Sequence, residues 1–130
     1  MTDEQAAAFS QVRRLAAPDR LRVVADAEGF PVIRGRLGDI EWHHADETYL
    51  AAYTAGRLDR RGRLLSLPGI IRLQVGDTEC RILFPVALLG EVARTLQARR
   101  RKYLSPEQLA KLQHAALGTR FRGRQATSEG

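Results

Sequence analysis

The sequence predicts an α+β fold: a short antiparallel sheet built from two or three hairpins, with helices on one face. Three observations carry this. Several segments alternate apolar and polar residues, as in Asp39-Ile40-Glu41-Trp42-His43 and Ile71-Arg72-Leu73-Gln74-Val75, the period of a strand. Others place apolar residues three and four apart, as in Leu89, Val92, Ala93 and Leu96, the period of a half-buried helix. The links between alternating segments are short and turn-forming, Gly76-Asp77-Thr78 above all, and such links join antiparallel strands.

The elements follow in roughly α-ββ-ββ-α-ββ-α-α order. Thr2 with Gln5 makes a capping box, and Phe9, Val12, Leu15 and Ala16 recur at helical spacing until Pro18 ends the first helix. Residues 20–25 read as a strand, 26–29 as a turn, and 30–37 as an edge-like strand because it carries Pro31 and Gly35. Residues 39–43 and 48–54 form a hairpin across a short polar link. Residues 57–67 form a helix with Leu58, Leu64, Leu65 and Leu67 on its buried face, stopped by Pro68-Gly69. The clearest hairpin comes next, 70–75 with 79–84. Pro85 opens a strong helix that is expected to run through Arg99-Arg100-Arg101-Lys102 to about Leu104. Ser105-Pro106-Glu107-Gln108 is a second capping box with proline at the first helical position, starting a last helix through Leu109, Leu112 and Ala116. A hairpin-then-helix unit thus occurs twice, over 39–67 and 70–104.

A chain of 130 residues with 44% hydrophobic content can bury one core, and 1–118 is read as a single domain followed by a flexible basic tail, 119–130. No apolar run nears the roughly 20 residues of a membrane helix, and the polar start Met1-Thr2-Asp3-Glu4-Gln5 is no secretory signal. A cytoplasmic protein is expected. The single Cys80 excludes an internal disulfide and any cysteine-rich zinc site.

Charge is unevenly distributed. Residues 1–93 hold 12 Arg against 13 acids, a net −1, whereas 94–130 hold 9 Lys+Arg against 2 acids, a net +7. The whole excess of +6 therefore lies in the last third. Cations favour a helix C-terminus through the macrodipole, but the run Arg99-Arg100-Arg101-Lys102 exceeds that need. Adjacent like charges repel and call for an anion between them. Arg120-Phe121-Arg122-Gly123-Arg124 interleaves cations with an aromatic, a pattern suited to phosphate contact plus base stacking. Arg57, Arg60, Arg61 and Arg63, with Asp59 among them, read as a solvated helix face that would widen the basic footprint if level with Arg99.

Sites for other chemistry are weak. Within Glu41-Trp42-His43-His44-Ala45-Asp46-Glu47 the adjacent histidines point to opposite faces of a strand, and no further ligand has a recognised spacing. Asp39, Glu41, Asp46 and Glu47 are not singled out by spacing as magnesium ligands. Gly35-Arg36-Leu37-Gly38 lacks the lysine and glycine pattern of a phosphate loop, Ser105 is a cap, and Cys80 is a half-buried structural thiol. No enzyme, metal or cofactor is predicted.

Tyr49-Leu50-Ala51-Ala52-Tyr53-Thr54-Ala55-Gly56-Arg57-Leu58 resembles the motif of the LAGLIDADG homing endonucleases over those residues alone. That family ends its motif, which is helical, on a metal-binding acid, where this chain has Thr54 and Ala55 in a segment that reads as a strand. The resemblance implies no nuclease activity, only a topology compatible with nucleic-acid binding.

The expectation is a small non-enzymatic accessory protein that binds nucleic acid, DNA or RNA, through its phosphate backbone. Arg94, Arg99, Arg100, Arg101 and Lys102 would supply the main contacts, from a basic C-terminal helix. Arg120, Arg122 and Arg124 would form a flexible clamp, and Tyr103 and Phe121 would stack on bases. No helix-turn-helix or zinc-finger signature points to sequence-specific readout. The alternative is a protein–protein interaction module, an adaptor or a homodimer, binding an acidic partner surface. No small-molecule substrate or membrane partner is indicated.

Overall fold

Thr2 caps the first helix as its sequence requires. In the computed structural model, which describes residues 1–43, 47–101 and 110–111, the Thr2 hydroxyl accepts from the Gln5 N–H at 3.1 Å and the Thr2 N–H donates to Gln5 Oε1 at 2.7 Å. Helix α1 (Asp3–Ala16) gives way to a 3-10 turn at Ala17–Asp19 that contains Pro18. Strands β1 (Val24–Ala25), β2 (Pro31–Arg34), β3 (Asp39–Trp42) and β4 (Tyr49–Ala55) then run as an antiparallel meander. Helix α2 (Leu58–Leu65) leads to the hairpin β5 (Ile71–Val75) and β6 (Glu79–Pro85), and helix α3 (Leu89–Leu96) follows a 3-10 turn at Val86–Leu88. All six strands form one sheet, ordered β1-β2-β3-β4-β6-β5. The fold is α+β, as the alternation and helical periods predict.

Register shows why the helices share a face. Ile33, Ile40, Ala52 and Ile82 lie opposite one another across four strands, and Leu50 opposite Phe84. All are buried, and they pack with Val12 and Ala16 of α1, Leu64 of α2 and Leu89, Val92, Ala93 and Leu96 of α3. The next row belongs to the other face and carries Arg34, Asp39, Tyr53 and Arg81.

Four expectations change. The strand expected over 20–25 is divided: Val24–Ala25 pairs with β2, whereas Leu21 bridges to Arg100 instead. Residues 30–37 give β2, which is flanked by both β1 and β3, with Pro31 as its first residue where the missing N–H does least harm. Leu58 lies in the first turn of α2 with 62% of its surface exposed, leaving Leu64 as that helix's fully buried residue. Most consequentially, α3 ends at Leu96, not near Leu104. Gln97 adopts φ 53°, a left-handed stop, and its N–H donates back to the carbonyls of Ala93 and Arg94. The helix expected over 106–117 lies outside the described residues except at Ala110 and Lys111, which are helical and exposed. The stretch that resembled a homing-endonuclease motif is strand β4 through Ala55, so the motif's helix is not formed. Among the described residues no helix is long and apolar enough to cross a membrane.

Candidate nucleic-acid interface

After Gln97 the chain extends and wedges between two strands that have splayed apart. β1 and β2 pair directly at Val24↔Val32 and Ala25↔Pro31; beyond that point, 20–22 and 34–37 separate and residues 97–101 fill the gap. On one side the Arg22 N–H donates to the Arg99 carbonyl at 2.9 Å, and the Arg101 N–H to that of Arg20 at 2.8 Å. On the other, the Arg99 N–H donates to the Arg34 carbonyl at 2.9 Å and the Arg36 N–H to that of Gln97 at 3.1 Å. The bridge pairs are Leu21↔Arg100 and Gly35↔Ala98, both antiparallel.

This register places Arg22, Arg99 and Arg34 in one cross-strand row, with Arg99 in the middle. Neighbouring strands stand about 4.7–4.9 Å apart, so the row spans about 10 Å at the backbone, within the reach of three arginine side chains on one point. They line a common cavity of about 390 Å³, together with Val24 and Gly35. All three arginines are exposed. Arg34 donates to Asp39 at 3.1 Å, while Arg22 and Arg99 form no ion pair among the described residues.

Gly35 makes the wedge possible. A Cβ there would lie 2.5 Å from the Leu96 carbonyl oxygen and 2.6 Å from that of Gly38, contacts with backbone that no rotamer change relieves. The glycine therefore serves close strand approach rather than a phosphate loop.

Beyond Arg34 the same row continues through Asp39, Tyr53 and Arg81. Here the charges are already matched. Arg81 is hydrogen-bonded to Glu41, lies 5.2 Å from the Tyr53 ring centroid, and is followed by the Tyr53 hydroxyl donating to Glu79. The unmatched positive charge of this face is concentrated at the wedge.

The predicted site residues separate accordingly. Arg99 joins Arg22 and Arg34. Arg100 faces Leu21 in the adjacent row, whose side chains alternate to the other face. Arg101 lines a second cavity of about 300 Å³ with Arg13, Ala17, Leu21 and Val23. Arg94 remains on α3 and shares a cavity of about 510 Å³ with Arg63 and Glu91. Lys102, Tyr103, Arg120, Phe121, Arg122 and Arg124 lie outside the described residues. The arginines of α2 diverge: Arg57 and Arg60 line a cavity with Arg36 and Gln97, whereas the Arg61 side chain donates to the Gly76 carbonyl at 3.0 Å. The cations expected on a basic C-terminal helix thus lie, for Arg99 to Arg101, on an extended segment.

Arg22, Arg34 and Arg36 were not singled out by the sequence because acids balance their charge within 1–93. Their signal was alternation, Arg20-Leu21-Arg22-Val23 and Ile33-Arg34-Gly35-Arg36-Leu37, which turns a neutral-looking stretch into one charged strand face.

The Glu41–Glu47 segment divides. Glu41 is held by Arg81, and the Trp42 indole N–H donates to Gln11 at 3.0 Å while its ring stacks on Phe30 at 5.3 Å; residues 44–46 lie outside the described residues. Cys80 is fully buried rather than half-buried. Comparison with family models, with curated proteins and with solved structures finds no match.

Proposed function

We propose that the protein is a non-enzymatic nucleic-acid-binding accessory protein that grips phosphate through the arginines of the wedge. The observation that supports this reading is the row Arg22–Arg99–Arg34, exposed and lining one cavity. Guanidinium is planar, permanently charged and binds phosphate oxygens in pairs, so convergent arginines favour a phosphate ligand over a generic anion. Arg36, Arg57 and Arg60 flank the wedge at Gln97 and extend the footprint. Arg94, Arg100, Arg101 and Lys102 add charge nearby in the chain, with Arg120, Arg122 and Arg124 as a clamp and Tyr103 and Phe121 as stacking residues.

The test is fluorescence anisotropy with labelled single-stranded and duplex DNA and RNA across a salt series, beside a variant with Arg99, Arg100, Arg101 and Lys102 changed to Ala. Micromolar binding with a steep salt dependence that flattens in the variant supports the reading. No binding at low salt, with the variant indistinguishable, overturns it.

A second reading, a protein-interaction module or homodimer, is favoured by the outer strand. β5 is exposed along its whole length, with Ile71 and Leu73 each 47% and Val75 40% accessible, and an open strand edge is a template for pairing. A mass that rises with concentration distinguishes this reading from a monomeric binder.

A further inference from the structure

The geometry points to a narrower ligand: the cavity between Arg22, Arg99 and Arg34 is a phosphomonoester site. In the nucleic-acid reading, on which this second part rests, it holds the phosphorylated end of a strand. A phosphodiester inside a strand carries one charge and offers two free oxygens, which a single guanidinium fork satisfies. A monoester carries about −1.5 to −2 at pH 7 and offers three acceptor oxygens. Three arginines line this cavity, and one carboxylate, Asp39, is paired with Arg34. The group is therefore left with about two uncompensated positive charges, matching a phosphate dianion.

The surroundings favour an end over a continuing backbone. The row past Arg34 leads to Asp39, and Glu41 and Glu79 follow on the same face, engaged with Arg34, Arg81 and the Tyr53 hydroxyl, so a backbone laid across the sheet would find no free cation among the described residues within one strand spacing. A cavity of about 390 Å³ falls within the roughly 300–1,000 Å³ usual for small-molecule sites, and it suits one nucleotide-sized group. Val24 gives it an apolar wall, and the backbone pairing of 97–101 on both sides holds Arg99 between its neighbours.

The experiment compares one labelled single strand bearing a 5′-phosphate, a 3′-phosphate or only hydroxyl ends, bound by the full chain, with inorganic phosphate as competitor. One phosphorylated form should bind about tenfold more tightly than the hydroxyl form, and inorganic phosphate should abolish the difference. Arg22→Ala and Arg99→Ala should each remove the preference, and Arg99→Lys, which keeps the charge and the strand, should weaken it. Arg72→Ala, which removes the same charge from β5 at the opposite edge, should retain it. Equal binding of all three strands, with no competition by phosphate, overturns the cavity assignment and leaves the nucleic-acid reading standing. A preference that survives Arg22→Ala and Arg99→Ala also overturns it. Inorganic phosphate bound through Arg22 and Arg99, with no strand bound at all, supports the cavity, makes its source a free phosphate compound, and overturns the nucleic-acid reading instead.

Discussion

The two ends of the sheet manage their open strand groups in opposite ways. At the β1–β2 end the strands splay and a piece of the chain from nearly eighty positions later fills the gap, Leu21 pairing with Arg100. At the β5 end the outer strand pairs with β6 on one side, and nothing among the described residues pairs with its other side. The ladder there shifts register between Arg72 and Gln74, so that Leu73 is an extra residue in the strand, a bulge that increases the local twist of the edge. At the first end an internal gap is filled by backbone hydrogen bonds and lined with arginine; at the second, Ile71, Leu73 and Val75 stand exposed along an open edge. Filling the gap with a strand, rather than with a helix, is what aligns Arg22, Arg99 and Arg34 in a row. A helix continuing past Leu96 would have fanned the same cations around its axis, about 100° apart per residue.

That contrast can be broken at several points. Phe84→Ala, in the shared core, should cost about 3–5 kcal/mol and loosen both ends together; chemical denaturation measures it. Gly35→Ala should act on the wedge alone. The new methyl meets the Leu96 and Gly38 carbonyls, so a loss of about 1–3 kcal/mol is expected. Hydrogen exchange should then show lost protection at the amides of Arg22, Arg99 and Arg101 while the β5–β6 amides stay protected. Gln97→Gly relieves the left-handed residue that turns α3 into the wedge, and should raise stability by about 1 kcal/mol. Leu73→Lys, on the open edge, should change stability by less than about 0.5 kcal/mol, yet it would abolish any self-association that runs along β5.

The core supplies a pH-dependent check. Burial pushes the Cys80 thiol up from its ordinary 9.0, against a smaller downward pull from Arg61. The folded state therefore holds this proton longer than the unfolded chain does. Stability from this group is full below pH 9.0 and falls as the pH rises beyond it. A thiol reagent at neutral pH should modify Cys80 only once denaturant has opened the sheet.

Local signals in the sequence carried far where local physics decided. The Thr2–Gln5 capping box, the β5–β6 hairpin around Gly76-Asp77-Thr78 and the buried face of α3 each depend on residues a few positions apart. The wedge was illegible for the opposite reason. Residues 97–101, rich in good helix formers, continue the helical pattern locally, but pairing on both sides with 20–22 and 34–37 outweighs that propensity. Nothing near position 99 announces partners so distant in the chain. The candidate site was therefore half legible: Arg99 stood out by its charged neighbours, whereas Arg22 and Arg34 became visible only when the strands were placed side by side. Leu58 illustrates a smaller version, an apolar residue in the correct helix but on a first turn that faces water.

The proposed function requires that the wedge arginines bind the nucleic-acid backbone. The most direct measurement is the slope of log K against log salt for a single-stranded oligonucleotide, compared among the wild type, the double variant Arg22→Ala/Arg99→Ala, and Arg72→Ala. Each lost phosphate contact should reduce the slope by about 0.7. The wedge variant should therefore lose about 1.4 in slope together with most of its affinity, while Arg72→Ala matches the wild type. Equal slopes for all three proteins would contradict the account and move the search for a function to the open β5 edge.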